Sequence, residues 1–360
     1  MSTLPRTMKA VVTKSNGGYE QLQYQDVPVP ELLPGTVLLK VLSAGVNNTD
    51  INTRLGWYAA KVKKGTLALS SGEIDNSMDG GWKEKTPFPL IQGTDCCGRV
   101  VAVGSGQDAH LLNSRVLVRP CMRSSGWESL ETIWLGSDCD GAFAEYVRVP
   151  SSEVFPVDCE WSDEELGTIP CAYGTAENML HRASVQDGDI VLVRGSSGGV
   201  GSAVVQLAKR RGARVIAVTS KGKKKEVASL GTERVITHEE LAHGVLPSGS
   251  VDVVVDNVAG TGFGEMLNLL KRGGCLVTSG AIAGAQVTID LRSLYLKDLR
   301  LIGCTAWDEP VFGDVISYIE KGEIRPLLAG VFSLEEIAAA QQEFSRKHHV
   351  GKLVLVPTQV

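Results

Sequence analysis

The segment Asp189–Ser220, DIVLVRGSSGGVGSAVVQLAKRRGARVIAVTS, constrains the fold more than any other part of the chain. An apolar run from Ile190 to Val193 enters a turn holding Gly195, Gly198, Gly199 and Gly201. A stretch with helical spacing leaves the turn, and a second apolar run, Val215 to Val218, follows. Glycine at those positions removes Cβ atoms where backbone must approach a diphosphate, and the start of the helix offers unpaired N–H groups at the positive end of its dipole. Strand, glycine turn, helix and strand in succession predict a βαβ unit that binds a dinucleotide. The later runs DVVVDNV and GCLVTSG, separated by helical stretches, extend this to a parallel sheet with helices on both faces.

The texture before residue 150 is different. Short β-rich runs (MKAVVTK, GTVLLKVLSAGV, GRVVAVG, SRVLVRP, AFAEYVRVP) alternate with Gly/Pro turns, which predicts an antiparallel, barrel-like domain. After Asp308, two helix candidates, VFGDVISYIEKG and SLEEIAAAQQEFSRK, lead to the strand GKLVLVP, expected to pack back on the first domain. The expected division is residues 1–171, then 172–307 for the nucleotide unit, then 308–360 as the return. Residues 59–89 form a segment too long for an ordinary connection, and they read as a surface excursion or a cover over a site.

Composition narrows the class. With 43% hydrophobic residues over 360 positions, the chain can fill two cores. No apolar run spans a bilayer, and MSTLPRTMKAVV lacks the pattern of a secretory signal, so a cytoplasmic location with no membrane partner is expected. A net charge of -5 argues against a nucleic-acid partner, because phosphate neutralisation needs a concentrated basic surface. The eight cysteines repeat no CxxC spacing and are expected to be free thiols.

The end of the second strand selects the cofactor. An acidic residue there normally accepts bonds from the ribose hydroxyls of NAD. This chain has Thr219, Ser220 and Lys221, followed by Lys223, Lys224 and Lys225. Hydroxyls and ammonium groups accommodate a 2′-phosphate that a carboxylate would repel, so NADP(H) is expected over NAD(H).

Several separated motifs now carry a resemblance over nearly the whole length: MKAVV, AGVNNTD, GxDxxGxVxxVG at residues 93–104, GAFAEYVRVP, the glycine turn, GEIRPLL and VGKLVLV. The chain resembles the medium-chain dehydrogenase/reductases. The resemblance implies an α/β protein with a GroES-like β-barrel catalytic domain and a Rossmann doubly wound domain, a cofactor cleft between them, and a homodimer or homotetramer. It also implies a cofactor set of Thr175, Ser196, Gly198, Gly199, Val200, Gly201, Thr219, Ser220, Lys221, Asn257 and Lys352.

The zinc-dependent branch of that family has three metal ligands, whose positions here hold Asn47, Thr94 and Cys171. One thiolate does not hold a catalytic zinc that needs three protein ligands, so no metal is expected. Asp95 with Cys96 or Cys97 leaves open a rearranged, nonstandard site, which would make the chain a zinc-dependent alcohol or carbonyl dehydrogenase. The interval corresponding to the structural zinc lobe keeps only Cys121 and Cys139, and is expected to be held by Trp127 and Trp134 instead.

The segment NNTDINTRLGWY resembles the zinc-free quinone oxidoreductase, zeta-crystallin-like branch, in its spacing of Asn47, Asp50 and Tyr58. Asn47 would donate to a substrate carbonyl and Tyr58 would donate or relay a proton. Each also has a purely structural reading: Asn47 and Asp50 as caps, Tyr58 as a packing aromatic. The expected reaction is NADPH-dependent reduction of a quinone or an α,β-unsaturated carbonyl compound, an apolar small molecule that Trp57, Tyr58 and Trp82 would help enclose. A non-catalytic NADPH-binding protein is the alternative from a different class.

Overall fold

The computed structural model describes residues 4–66 and 85–358. Trp82 and the middle of the 59–89 segment lie outside the described residues. Among those described, the barrel is organised by one long strand, Thr36–Gly45, which pairs antiparallel with Cys97–Val103 on one side and Tyr146–Pro150 on the other. Its residues are buried almost without alternation, which suits a strand enclosed on both faces. Irregular register at Leu38/Leu39 and Val41/Ser43 bends the sheet, as bulges do, and lets it curl. A three-stranded sheet of Thr7–Thr13, Leu22–Pro28 and Leu90–Ile91 closes one end, linked by the amide of Val11 to the carbonyl of Phe143. Helix α1 (Asn48–Leu55) leaves the hub strand directly and carries the first site residues.

Helix α2 (Pro170–Arg182) crosses into the second domain. There, six parallel strands take the order third, second, first, fourth, fifth, sixth. Their centres, such as Val191–Val193 and Val253–Val255, are buried because helices cover both faces. The order reverses beside the first strand, Ile190–Arg194, which runs through the glycine turn into α3 (Gly199–Arg210). A ligand crevice is expected at such a switch point, outside the carboxyl ends of the strands.

The C-terminal stretch rejoins the barrel. Helix α4 (Pro310–Glu320) packs against α2, with Phe312 and Trp307 in the shared core. The strands Leu328–Ser333 and Lys352–Val356, joined by α5 (Ile337–Arg346), then extend the catalytic sheet, Leu355 pairing with Ala44. Among the described residues no helix is long and apolar enough to cross a membrane.

In the lobe between Cys121 and Cys139, the group at the centre is Arg123, whose guanidinium donates to the carbonyls of Trp307, Trp127 and Ser129. Trp127 lies under the guanidinium of Arg119, 4.6 Å from its ring centre, and Arg119 also pairs with Glu153 at 2.7 Å. Trp134 meets Trp307 edge-on, the centroids 5.6 Å apart. Both tryptophans pack within the lobe, Trp127 held by the two arginines and Trp134 against Trp307. All eight cysteines are free thiols.

Candidate active site

A cavity of about 440 Å³ opens between the two domains. Its nucleotide-side wall includes Gly198, Gly199, Val200, Gly201 and Asn257; its catalytic-side wall includes Asn47, Thr49, Trp57 and Tyr58. Thr175 and Cys171 from α2 line it between the two, and Trp134 and Trp307 add apolar surface. Gly174 makes room for the Trp307 indole, since a Cβ there would lie 2.2 Å from the ring.

The turn has the shape a diphosphate needs. Gly195 takes φ +68°, and a Cβ on Gly201 would stand 2.2 Å from the Gly195 carbonyl oxygen. On Gly199 a Cβ would strike the Lys352 side chain at 2.5 Å. Lys352 is that close because Gly351 donates its amide to the carbonyl of Ser197 at 2.9 Å, stitching the last strand to the turn. Asn257 is fixed by Ser279, whose amide and hydroxyl both donate to its Oδ1. Ser196 is fully buried, its hydroxyl donating to the carbonyl of Val218. Thr219 is buried at the strand end with a hydroxyl that finds no partner among the described residues, an orphan of the kind a ribose hydroxyl would satisfy. Ser220 and Lys221 are exposed beside it. These residues fit a nicotinamide dinucleotide.

Behind the catalytic wall lies a buried polar network. Asp95, with 0% exposure, receives the Lys352 ammonium at 2.8 Å on Oδ2 and the amide of Cys171 at 2.6 Å on Oδ1. The Asn47 side chain donates to the same Oδ2 at 2.8 Å and to the carbonyl of Gly45 at 3.2 Å, while its Oδ1 accepts from Lys352. Both amide protons of Asn47 are therefore spent inside the protein, and the residue orients Lys352 and Asp95. The loop that raised the question of a metal instead holds a carboxylate whose two oxygens are already engaged. Cys96 and Cys97 point into the two apolar cores, and burial holds both thiols in the neutral form. Burial also raises the Cys171 thiol well above its usual range.

Asp50 occupies the third position of α1 and completes a capping box, accepting from the Asn47 amide at 2.7 Å and from the Thr94 hydroxyl at 3.3 Å. Burial pushes its carboxyl up to about 7 against the pull of the Asn47 amide. Tyr58 stands at the cavity with its hydroxyl donating to Thr49 Oγ1 at 3.2 Å, and burial pushes that hydroxyl up to about 12. The structure thus gathers Asn47, Asp50, Tyr58, Thr175, Gly198 to Gly201, Asn257 and Lys352 into one region, and places Thr219 to Lys221 at the far end of the second strand. Sequence reasoning missed Thr49, Trp307 and the Asp95 to Lys352 contact; only the threonine had a visible signal, a hydroxyl two places after Asn47.

A two-domain fold with a Rossmann sheet, a glycine turn and a cleft against a GroES-like barrel defines a nicotinamide-dependent oxidoreductase. Residues 33–159 match the alcohol dehydrogenase GroES-like domain and residues 199–321 the zinc-binding dehydrogenase domain. A crystal structure from Sinorhizobium meliloti 1021, named as a candidate alcohol dehydrogenase, is 40% identical and covers 99% of both chains with a TM-score of 0.87. Acryloyl-coenzyme A reductase of Metallosphaera sedula is 29% identical across 97% of this chain and 99% of its own, and quinone oxidoreductase of Lama guanicoe 27% identical across 99% of each. The chain belongs to the medium-chain dehydrogenase/reductase superfamily.

Proposed function

We propose that the protein is a cytoplasmic, NADPH-dependent reductase of conjugated carbonyl compounds, enones, enoyl thioesters or quinones, that works without a catalytic metal. The observation that carries this is the network behind the cavity: Asn47 and Thr94 stand at two family ligand positions, and both oxygens of Asp95 are committed to Lys352, Asn47 and the Cys171 amide. Cys171 remains as one thiol, too few for a tetrahedral site. When bound, the dihydronicotinamide supplies a hydride. The residues of the chain orient the reactants and receive the charge: Tyr58, protonated throughout the physiological range, turns its one proton from Thr49 Oγ1 to the substrate oxygen as that oxygen becomes anionic, and the Thr49 hydroxyl then donates to the phenol oxygen. Trp57, Trp134 and Trp307 exclude water from that oxygen. Hydroxyls and lysine at the second strand end, in place of a carboxylate, favour NADPH.

Among the described residues the edge strand Arg300–Gly303 leaves its outer side unpaired, and Leu301 (43% exposed), Leu296 (57%) and Tyr295 (62%) present apolar surface beside it. This supports a homodimer built across that edge.

The test is NADPH-dependent turnover of an α,β-unsaturated ketone, with and without chelator. A saturated ketone formed at a chelator-independent rate is expected. An allylic alcohol, or loss of rate on chelation, refutes the metal-free reading.

A further inference from the structure

Three lysines and a histidine converge beside the glycine turn. Lys223, which follows the second Rossmann strand, turns inward and its ammonium donates to the carbonyl of Lys347. The Lys347 ammonium lies over the Phe344 ring and donates to Asn48 Oδ1 at 3.0 Å; Asn48 in turn lines the cavity. Lys352 and His349 complete the group. Carboxylates are few: Asp95 belongs to Lys352, Glu343 is paired with Arg346 at 2.9 Å, and Glu226 faces Lys223. The backbone adds a second observation. Lys347 caps α5 with φ +53°, a left-handed position where glycine is the usual choice. A lysine there accepts steric strain that glycine would avoid, which is reasonable when its side chain has a task.

We propose that Lys347 is the cation that binds the diphosphate of the dinucleotide, from the side opposite the N-terminus of α3, with Lys223 steering the same group. This rests on the dinucleotide reading above. The position favours the diphosphate over the 2′-phosphate, because Lys347 reaches Asn48 on the nicotinamide side of the cavity, whereas Thr219 to Lys221 lie on the adenosine side. Burial, together with the charges of Lys223 and Lys352, lowers the Lys347 ammonium to about 7. His349 is pushed down to about 4 by burial and by the same lysines, with Glu343 opposing, so it stays neutral at pH 8. A diphosphate favours the charged form of Lys347, and so binding at pH 8 takes up a proton that is absent from most free protein molecules.

Isothermal titration of NADPH and of NADH at pH 8, in two buffers of different ionisation enthalpy, tests this without any turnover. Proton uptake is expected for the unaltered protein with both nucleotides. In Lys347→Arg, which carries a permanent charge, binding persists and the uptake falls by more than half. In Lys347→Met, affinity drops about ten-fold or more for both nucleotides, the scale of one charge-assisted hydrogen bond. Methionine has the same Cβ strain as lysine at this φ, so folding is a shared baseline. Unchanged affinity in Lys347→Met overturns the proposal, as does a loss confined to NADPH, which would move the lysine to the 2′-phosphate. Failure of the unaltered protein to bind either nucleotide would instead defeat the cofactor reading itself.

Discussion

Replacing Lys352 by methionine keeps the length of the side chain and removes its charge, leaving Asp95 without its cation. The two groups are 2.8 Å apart with side-chain exposures of 5% and 0%. At that separation the Coulomb attraction is about 6 kcal/mol for an effective dielectric constant of about 20, but desolvation of the two ions offsets most of it. The pair therefore contributes little net stability, while breaking it leaves a buried carboxylate holding only the Asn47 and Cys171 donors. Loss of about 3–5 kcal/mol is expected in Lys352→Met, a large part of the stability of an ordinary domain. Asp95→Asn in the same chain removes the orphaned charge, and the double variant recovers most of the loss. Urea unfolding of the four proteins closes the cycle. A single-variant cost below about 1 kcal/mol, or a double variant that is simply additive, refutes the idea that each group is retained by the other.

Three further outcomes follow from particular residues. Because the folded-state pKa of Asp50 is raised to about 7, the folded protein holds that proton more tightly than the unfolded chain; stability falls as pH rises from about 4 to about 7, by at most about 1.4 kcal/mol per pH unit, and Asp50→Asn should flatten that part of the urea-midpoint profile. A slope unchanged in the variant counts against burial as the cause of the shift. Gly201→Ala places a Cβ 2.2 Å from the Gly195 carbonyl oxygen, so the turn must shift and nucleotide affinity should fall more than ten-fold with circular dichroism retained; normal affinity would show that the turn has slack. Leu301→Lys puts a charge on the unpaired edge strand and should yield monomers by light scattering, where an unaltered dimer would place the interface elsewhere.

Local chemistry made the nucleotide domain legible in the sequence. The glycines from Gly195 to Gly201 sit where a Cβ would meet neighbouring atoms, backbone at Gly198 and Gly201 and side chains at Gly195 and Gly199, and the apolar runs are continuous because both faces of the sheet are covered. The barrel was legible from Gly/Pro punctuation, though the dominance of Thr36–Gly45 was not, since a hub strand differs from its neighbours only in how many partners it finds. Asp50 illustrates the ambiguity of a motif: the same carboxyl is a cap and a member of the site. The contacts that set the charge of the site were illegible for a different reason. Asp95 and Lys352 are 257 positions apart, and Lys223 and Lys347 are 124 apart. Nothing local to either partner marks the pairing; it depends on the last strand returning to the hub strand and on Gly351 reaching Ser197.

The chemistry offered by the cavity wall follows from where those charges are spent. The Lys352 ammonium is balanced by Asp95, so the substrate meets no free cation there. Arg194 also lines the cavity, but on the nucleotide side and paired with Asp256 at 2.5 Å; what the catalytic side presents is neutral: the Tyr58 hydroxyl with a pKa of about 12, the Thr49 hydroxyl, and a Cys171 thiol that burial keeps protonated. Developing a full alkoxide from a simple alcohol calls for a Lewis acid or comparable positive charge next to the oxygen. An enolate or a hydroquinone anion spreads its charge over a conjugated system, and one or two preorganised donors in a dry pocket stabilise it adequately. A wall of neutral donors backed by a balanced ion pair thus suits conjugated acceptors better than alcohols. The same balance explains why Asn47 faces inward: with its amide turned to the substrate, Lys352 and Asp95 would each lose a hydrogen bond inside the protein, where an unmade bond is most costly.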